Sequence, residues 1–296
     1  MVFIDGVGIG NKDYQFNPFF KYGFKTFERI FGDIPHLDNP HLNKNGSYLF
    51  PVDANLGVEG LPQSGTGQVS IFCGVNAAKI AGKHFGPFPY SSTIPVLAES
   101  NIFKAFKDSG RKAYFANAYP QIFFDYINSG KSRLSATSLA CKLSGIKLND
   151  VNDLMKGNAL TAEITNERWN KKLKYNLDLI TPEKAAERLI EIALHNDFTL
   201  YEFFLTDHLG HGRIADEFEN IYSNLDNFLF SLLSKIQSSE LSLIVCSDHG
   251  NFEDLSVKTH TSNPSLTISA GKHADVLARE IYDLAQIKPT IIKYCL

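Results

Sequence analysis

Leu241-Ser-Leu-Ile-Val-Cys-Ser-Asp-His-Gly250 is an apolar run that stops on an acid. A strand apolar on both faces lies between layers of helix, and its C-terminal end is where an open α/β sheet gathers ligands. Two other runs have the same form: Val2-Phe-Ile-Asp5-Gly6, and Phe198-Thr-Leu-Tyr-Glu-Phe-Phe-Leu205 ending at Thr206-Asp207. In a parallel sheet the ends of such strands share one edge, so Asp5, Asp207 and Asp248 are expected to converge. A lone acid after a strand can equally cap the next helix; the repetition is what carries the reading.

Working outward, helical segments separate the strands. Thr181-Pro-Glu-Lys184 opens a helix with Thr181 as N-cap and Pro182 in first position. That helix buries Ala185, Ala186, Leu189, Ile192 and Ala193. Residues 217–236 read as a long amphipathic helix, 266–270 as a strand and 274–285 as a last helix. Upstream, 95–109 reads as one helix stopped by Gly110, and 112–120 as a strand. A short aromatic-rich helix is expected near 19–31, and 32–60 carry turn signals such as Asn39-Pro40 and Asn45-Gly46. The alternation predicts an α/β chain, a three-layer α/β/α sandwich on a largely parallel sheet. From 121 to 180 the periodicity loosens, with short helices at 135–144 and 151–156 and Trp169 among charges. Residues 1–120 and 181–296 are therefore expected to form the core, and 121–180 a small inserted, cap-like cover.

Composition narrows the function. The 296 residues suffice for a large core, 44% are hydrophobic and 21% charged. A net charge of -3 supplies no basic field for nucleic acid. No apolar run approaches the roughly 18 residues needed to span a bilayer, and the N-terminus lacks the form of a secretory signal. The four cysteines are far apart, form no CxxC pair and suit a reducing cytoplasm. The expected partner is a small molecule, neither nucleic acid nor membrane.

The chemistry centres on Leu61-Pro-Gln-Ser-Gly-Thr-Gly-Gln-Val-Ser-Ile-Phe-Cys-Gly74, where Ser64 and Thr66 sit among glycines at a helix start expected to run on to Gly82. Gly65 and Gly67 allow close approach of a ligand, and the helix N-terminus favours an anion. Ser64 as a plain N-cap is the competing reading. Histidines accompany the acids. Asp207 and His211 are four apart, on one face of a helical turn; Asp248 and His249 are adjacent; His260 follows in a loop pinned by Pro264. Any one of these histidines could be a core or loop residue. Together, carboxylates and imidazoles without thiolate suit Zn²⁺ or Mn²⁺, and six ligands suit two ions, a device for phosphoryl chemistry. Lys83 and His84 follow as a solvated helix exit or as substrate contacts.

With these motifs the chain resembles the alkaline phosphatase superfamily, especially its cofactor-independent phosphoglycerate mutase and phosphopentomutase branch. The resemblance rests on Phe3-Ile-Asp5-Gly6, Ser64-x-x-Gly67, Thr206-Asp207-x-x-Gly210-His211, Ser247-Asp248-His249-Gly250-Asn251 and His260-Thr-Ser-Asn-Pro264. It implies that Asp207, His211 and His260 hold one metal ion and that Asp5, Asp248 and His249 hold a second, shared with Ser64. It also implies that Ser64, with Thr66 as the rival, attacks a phosphate ester to give a covalent phosphoenzyme. The chain departs from the mutases in its short cover, which holds only Arg133 and Arg168, and Arg213 is the nearest candidate for a phosphate-binding arginine. The departure tilts the reading from a mutase towards a hydrolase or a transferase; hydrolysis of a phosphate monoester is the leading expectation, and a phosphomutase (phosphoglycerate or phosphosugar), a phosphodiesterase or a phosphonate hydrolase using the same site is the alternative. A metal-binding protein without catalysis is the remaining alternative. Sulfatase chemistry is disfavoured, because the stretch from Ser64 lacks the Pro and Arg of that motif.

Overall fold

The computed structural model describes residues 1–131, 133–237 and 239–296. Seven strands form one sheet in the order β2-β3-β7-β6-β1-β5-β4. They are β1 (Val2–Ile4), β2 (Leu42–Lys44), β3 (Ser47–Val52), β4 (Ala113–Phe115), β5 (Phe198–Phe203), β6 (Ser242–Cys246) and β7 (Ser265–Gly271). β1 pairs parallel with β5 and β6, and β4 with β5; β7 runs antiparallel to β6 and β3, and β2 antiparallel to β3. Five strands, β3, β6, β1, β5 and β4, thus share one direction, so the sheet is mostly parallel.

Fourteen α-helices are assigned among the described residues. The first half of the chain carries α1 (Pro18–Tyr22), α2 (Ser64–Cys73), α3 (Ala77–Ala81), α4 (Ile94–Ser100), α5 (Ile102–Asp108), α6 (Gln121–Asn128) and α7 (Ala136–Leu143). The second half carries α8 (Val151–Met155), α9 (Glu167–Leu173), α10 (Pro182–Leu194), α11 (Leu205–Gly210), α12 (Phe218–Ile236), α13 (Ala274–Glu280) and α14 (Ile287–Cys295). Side-chain alternation along the strands divides the core into two layers. Val2, Ile4, Tyr201, Phe203, Leu243 and Val245 pack with α1, α10 and α12. Phe3, Leu200, Ile244 and Cys246 pack with α2, α5, α7 and α14. This is the expected three-layer sandwich.

Local chemistry explains where the expected elements break. The helix expected over 95–109 is two helices, because Asn101 takes an extended conformation and its side chain accepts from Lys104 N to start α5 anew. The helix expected to run on to Gly82 stops at Gly74, whose φ of 69° is the left-handed cap, and Asn76 starts α3. Gly23 (φ 73°) likewise splits the 19–31 segment into α1 and a π-helical turn at Phe27–Phe31. The 112–120 strand pairs only over Ala113–Phe115. Residues 42–52, expected as turns, form a hairpin whose Asn45 (φ 51°) and Gly46 (φ 77°) have the paired positive φ of a tight hairpin turn. The last helix ends at Glu280, and α14 follows it.

Within 121–180, α7 packs Ala136, Ala140 and Cys141 into the same layer as α2. Further on, Leu154, Ala159 and Trp169 form a small cluster with Ala118, backed by Tyr175 and Leu177. The cluster hangs on backbone bonds to the end of β4: Leu160 N donates to Ala116 O and Ala118 N to Leu160 O, both at 2.8 Å. No helix among the described residues is long and apolar enough to cross a membrane.

Candidate metal centre

The register Phe3↔Cys246 and Ile4↔Phe203 brings the ends of β1, β5 and β6 to one level, so the acids that follow leave from one edge. Asp5 and Asp248 extend directly from their strands. Asp207 lies in α11, which replaces the end of the expected strand and has His211 as its C-cap. Asp5 Oδ1 and Asp248 Oδ2 lie 3.3 and 3.5 Å from His249 Nε2. Asp207 Oδ1 lies 3.2 Å from His211 Nε2 and 3.4 Å from His260 Nε2. These two sets, Asp5/Asp248/His249 and Asp207/His211/His260, each offer three ligand atoms within 4.8 Å of one another. The rings of His249 and His260 stack at 3.7 Å and join the sets.

The histidines are oriented by the backbone. Nδ1 of His211, His260 and His249 faces the carbonyls of Lys258 (2.7 Å), Pro62 (2.7 Å) and Gly250 (3.3 Å). A ring nitrogen facing a carbonyl carries a proton, so in the neutral ring, the form that binds a metal, each Nε2 is a lone pair aimed at the acids. His211 Nε2 and His260 Nε2 are only 3.2 Å apart.

Ser64 is the first residue of α2, after Gln63 as N-cap, so it is not the cap itself. Its Oγ lies 2.9 Å from His249 Nε2. Thr66 is tied elsewhere: its hydroxyl donates to Gln63 O (3.2 Å) and accepts from Phe85 N (3.2 Å). Gly65 and Gly67 admit not a ligand but the chain itself. A Cβ on Gly65 would meet Phe88 O at 2.1 Å, and one on Gly67 would meet the Asp248 Cβ at 2.9 Å. The loop that packs on Gly65 carries Lys83 and His84. The Lys83 ammonium lies over the rings of Phe85 and Tyr90, and His84 Nε2 faces Val58 O at 3.2 Å. Arg213 is exposed, two residues beyond His211.

A profile of the metalloenzyme superfamily matches residues 1–296. The chain belongs to the metalloenzyme superfamily. No curated protein matches it by sequence. Among solved structures, the PH0037 protein of Pyrococcus horikoshii is similar at 12% identity and TM-score 0.53 over 99% of this chain and 96% of that one. The alkaline phosphatase of the Antarctic bacterium TAB5 overlaps at 13% identity and TM-score 0.49, with the same coverage. A phosphoglycerate mutase of Leishmania mexicana overlaps 64% of this chain and 36% of its own at 18% identity and TM-score 0.35. The likeness to the PH0037 protein speaks to the fold alone.

In this metalloenzyme the donor set fits divalent ions. Lone pairs of imidazole and carboxylate face one another, an arrangement that needs positive charge between them. Asp5 Oδ1 is buried without a hydrogen-bond partner among the described residues, as are Oε1 of Gln68, whose amide reaches Asp5, and Oδ1 of Asn251, whose amide reaches Asp207. Without ions the cost is visible in Asp5: burial, then Asp248, Asp207 and Glu202, push its pKa well above the carboxylate range, and His260 offsets this only in part. Burial also raises Asp207, but in the absence of ions a hydrogen bond from a protonated His260, the positive charge of the His249 and His211 rings when protonated, and the amide of Asn251 outweigh it and hold its carboxyl well below the usual range.

Three supporting residues escaped the sequence reading. Glu253 is 1% exposed and accepts from Gly8 N (2.8 Å), Asn251 N (2.8 Å), Thr261 Oγ1 (2.5 Å) and Asn263 Nδ2 (3.0 Å). It ties together the loops bearing Asp5, His249 and His260. Gln68, one turn after Ser64, donates from Nε2 towards Asp5 Oδ2 (3.5 Å) and Asp248 Oδ2 (3.4 Å). Its i+4 spacing from Ser64 was the available signal. Glu202 is a buried acid inside β5, and that oddity in an apolar run was its signal. Burial pushes its pKa up to about 7, against the neighbouring Thr137 hydroxyl and helped by Asp248.

Proposed function

We propose that the chain is a phosphoryl-transfer enzyme that hydrolyses a small phosphate monoester through Ser64, with two divalent ions, Zn²⁺ or Mn²⁺, held by Asp207/His211/His260 and Asp5/Asp248/His249. The observation that carries the reading is the place of Ser64 Oγ: 2.9 Å from His249 Nε2, at the first turn of α2 and beside one acid–histidine group, whose His249 ring stacks on His260 of the other. Bound ions would lower the pKa of the hydroxyl and neutralise charge on the phosphoryl oxygens.

The chain's own residues do the rest. Ser64 Oγ forms a bond to phosphorus while the ester P–O bond breaks, and the leaving oxygen departs with the electron pair and takes a proton. The serine proton passes to solvent. Water then displaces the phosphoryl group from Ser64 and restores the hydroxyl. The N-terminus of α2 would complement the charge of the transferred group through its dipole, the Thr66 and Gly67 N–H groups being bonded to Phe85 O and Gln63 O. Gln68 holds the two carboxylates of one set, and Nδ1–H bonds to backbone carbonyls hold the three rings.

The test joins elemental analysis of protein purified without chelator to hydrolysis of an aryl phosphate monoester and diester with added Mn²⁺ or Zn²⁺. Two ions per chain with monoester turnover, abolished in Ser64→Ala at unchanged metal content, is the expected result. Two ions with release from the diester alone would move the assignment to a phosphodiesterase. Absence of bound metal under every condition would refute the reading.

A further inference from the structure

A cavity of about 460 Å³ lies between the end of β5, which supplies Glu202, and α9. That size lies within the roughly 300–1,000 Å³ of small-molecule sites. Several links join it to the centre. Phe204, on its wall, is three residues before Asp207 and its ring lies 5.4 Å from that of His208. Arg213, on its rim, follows His211 by two residues. Glu202, on its wall, is near enough to Asp5 and Asp248 for their charges to act on one another.

Its walls are largely ring and hydrocarbon: Tyr119, Trp169, Phe204, Leu173 and Ile214. Its charges nearly balance, with Arg168, Lys172 and Arg213 against Asp216, Glu217 and Glu202, the last only partly ionised at neutral pH. Two of the cations are already committed. Arg168 Nε donates to Glu217 Oε2 at 2.8 Å, and Lys172 Nζ lies 3.5 Å from Glu217 Oε1. A second phosphate or a carboxylate would therefore find little excess of positive charge here, whereas a flat ring would find aromatic faces and edges. We propose that this cavity receives the leaving-group part of the ester, and that this part is an uncharged, ring-bearing alcohol. The inference rests on the phosphoryl-transfer reading and names its substrate class.

The chain contains a single tryptophan, and it is Trp169. Its emission reports the cavity directly, with or without metal. Titration of the metal-free and the metal-loaded full chain with benzyl alcohol is expected to give a saturable emission change, and titration with glycerol none. With metal, benzyl phosphate is expected to exceed both glycerol 2-phosphate and 3-phosphoglycerate in kcat/KM by roughly tenfold or more. Trp169→Ala should raise KM for benzyl phosphate about tenfold and remove most of its kcat/KM advantage over glycerol 2-phosphate; Trp169→Phe, which keeps a ring if the truncation unfolds the cover, should restore most of the loss. Equal turnover of all three esters with no emission change would overturn the cavity assignment and leave phosphoryl transfer standing. A saturable benzyl alcohol signal with no reaction of any phosphate ester would do the reverse: ring binding stands and phosphoryl transfer falls. A preference for 3-phosphoglycerate would refute the uncharged leaving group outright.

Discussion

Replacing Glu253 by alanine should loosen the whole centre without touching a proposed metal ligand. The carboxylate is 1% exposed and takes four hydrogen bonds, two of them from backbone N–H groups of Gly8 and Asn251. Thr261 and Asn263 donate the other two from side chains that can turn towards water. The two backbone donors cannot turn, and each buried N–H stranded in this way costs about 1–3 kcal/mol. The expected loss is therefore roughly 2–6 kcal/mol, a large share of the ~5–15 kcal/mol that holds a typical domain folded. Glu253→Gln keeps an oxygen for Gly8 and Asn251 and turns its NH₂ towards Thr261, whose hydroxyl can rotate to accept, and towards the Asn263 amide, so it should cost about 1–2 kcal/mol. Urea unfolding of both variants in chelator isolates the effect on the chain from any effect on ion binding. A midpoint for Glu253→Ala within about 1 kcal/mol of wild type would refute the argument, because the two N–H groups would then have found other partners.

Other consequences are equally direct. His260→Ala should leave one ion per chain instead of two and weaken the survivor about 10- to 100-fold, since its ring also packs on His249; titration with Mn²⁺ followed by elemental analysis would register an unchanged stoichiometry as failure. Glu202 carries a folded pKa of about 7 against an ordinary 4.5, so between these values the folded chain binds more protons than the unfolded one, and stability falls as pH rises. Glu202→Gln should then stabilise the metal-free chain at pH 8 by up to ~3 kcal/mol, with the advantage fading towards pH 4.5; a pH-independent difference between the two unfolding curves would contradict this. Gly65→Ala places a methyl 2.1 Å from Phe88 O, and should displace the 83–90 loop and cost at least ~2 kcal/mol; thermal unfolding unchanged from wild type would mean that the loop yields freely.

Much of this centre was readable in the chain because its ligands stand where strand periodicity stops. Val2–Asp5 and Leu241–Asp248 are short apolar runs closed by an acid, and a parallel sheet has only one edge on which such ends can meet. Asp207 and His211 needed only the helical spacing of four. The hairpin at 42–52 was lost although Asn45-Gly46 marks its turn, because Leu42-Asn-Lys44 alternates too briefly to register as a strand. The reversal of β7 was not legible at all: strand direction is set by the loop that reaches it, not by Leu266, Ile268 and Ala270 facing one layer. Glu253 sits in Asn251-Phe-Glu-Asp254, which reads as a surface turn. Its four donors come from positions 8, 251, 261 and 263, and nothing local announces that they will close around one carboxylate.

The same contacts explain why residues so far apart can hold a shared geometry. β1 is the central member of the trio β6-β1-β5, so Asp5 has an acid-bearing strand end on either side. Three carboxylates at one edge repel, and a protein that merely needed to fold would gain by replacing them with apolar groups. Here the opposite investment is visible in the backbone carbonyls of Pro62, Gly250 and Lys258, which turn three Nε2 lone pairs inward, towards the acids. The Gly6 N–H and the Gln68 amide face Asp248, while Asn251 Nδ2 holds Asp207 Oδ1 at 2.7 Å. These bonds restrain the acids but leave Asp5 Oδ1 without a partner. A site assembled only to satisfy its own polar groups would have spent the imidazole protons on the carboxylates; this one directs them outward and keeps its donor electrons for a cation.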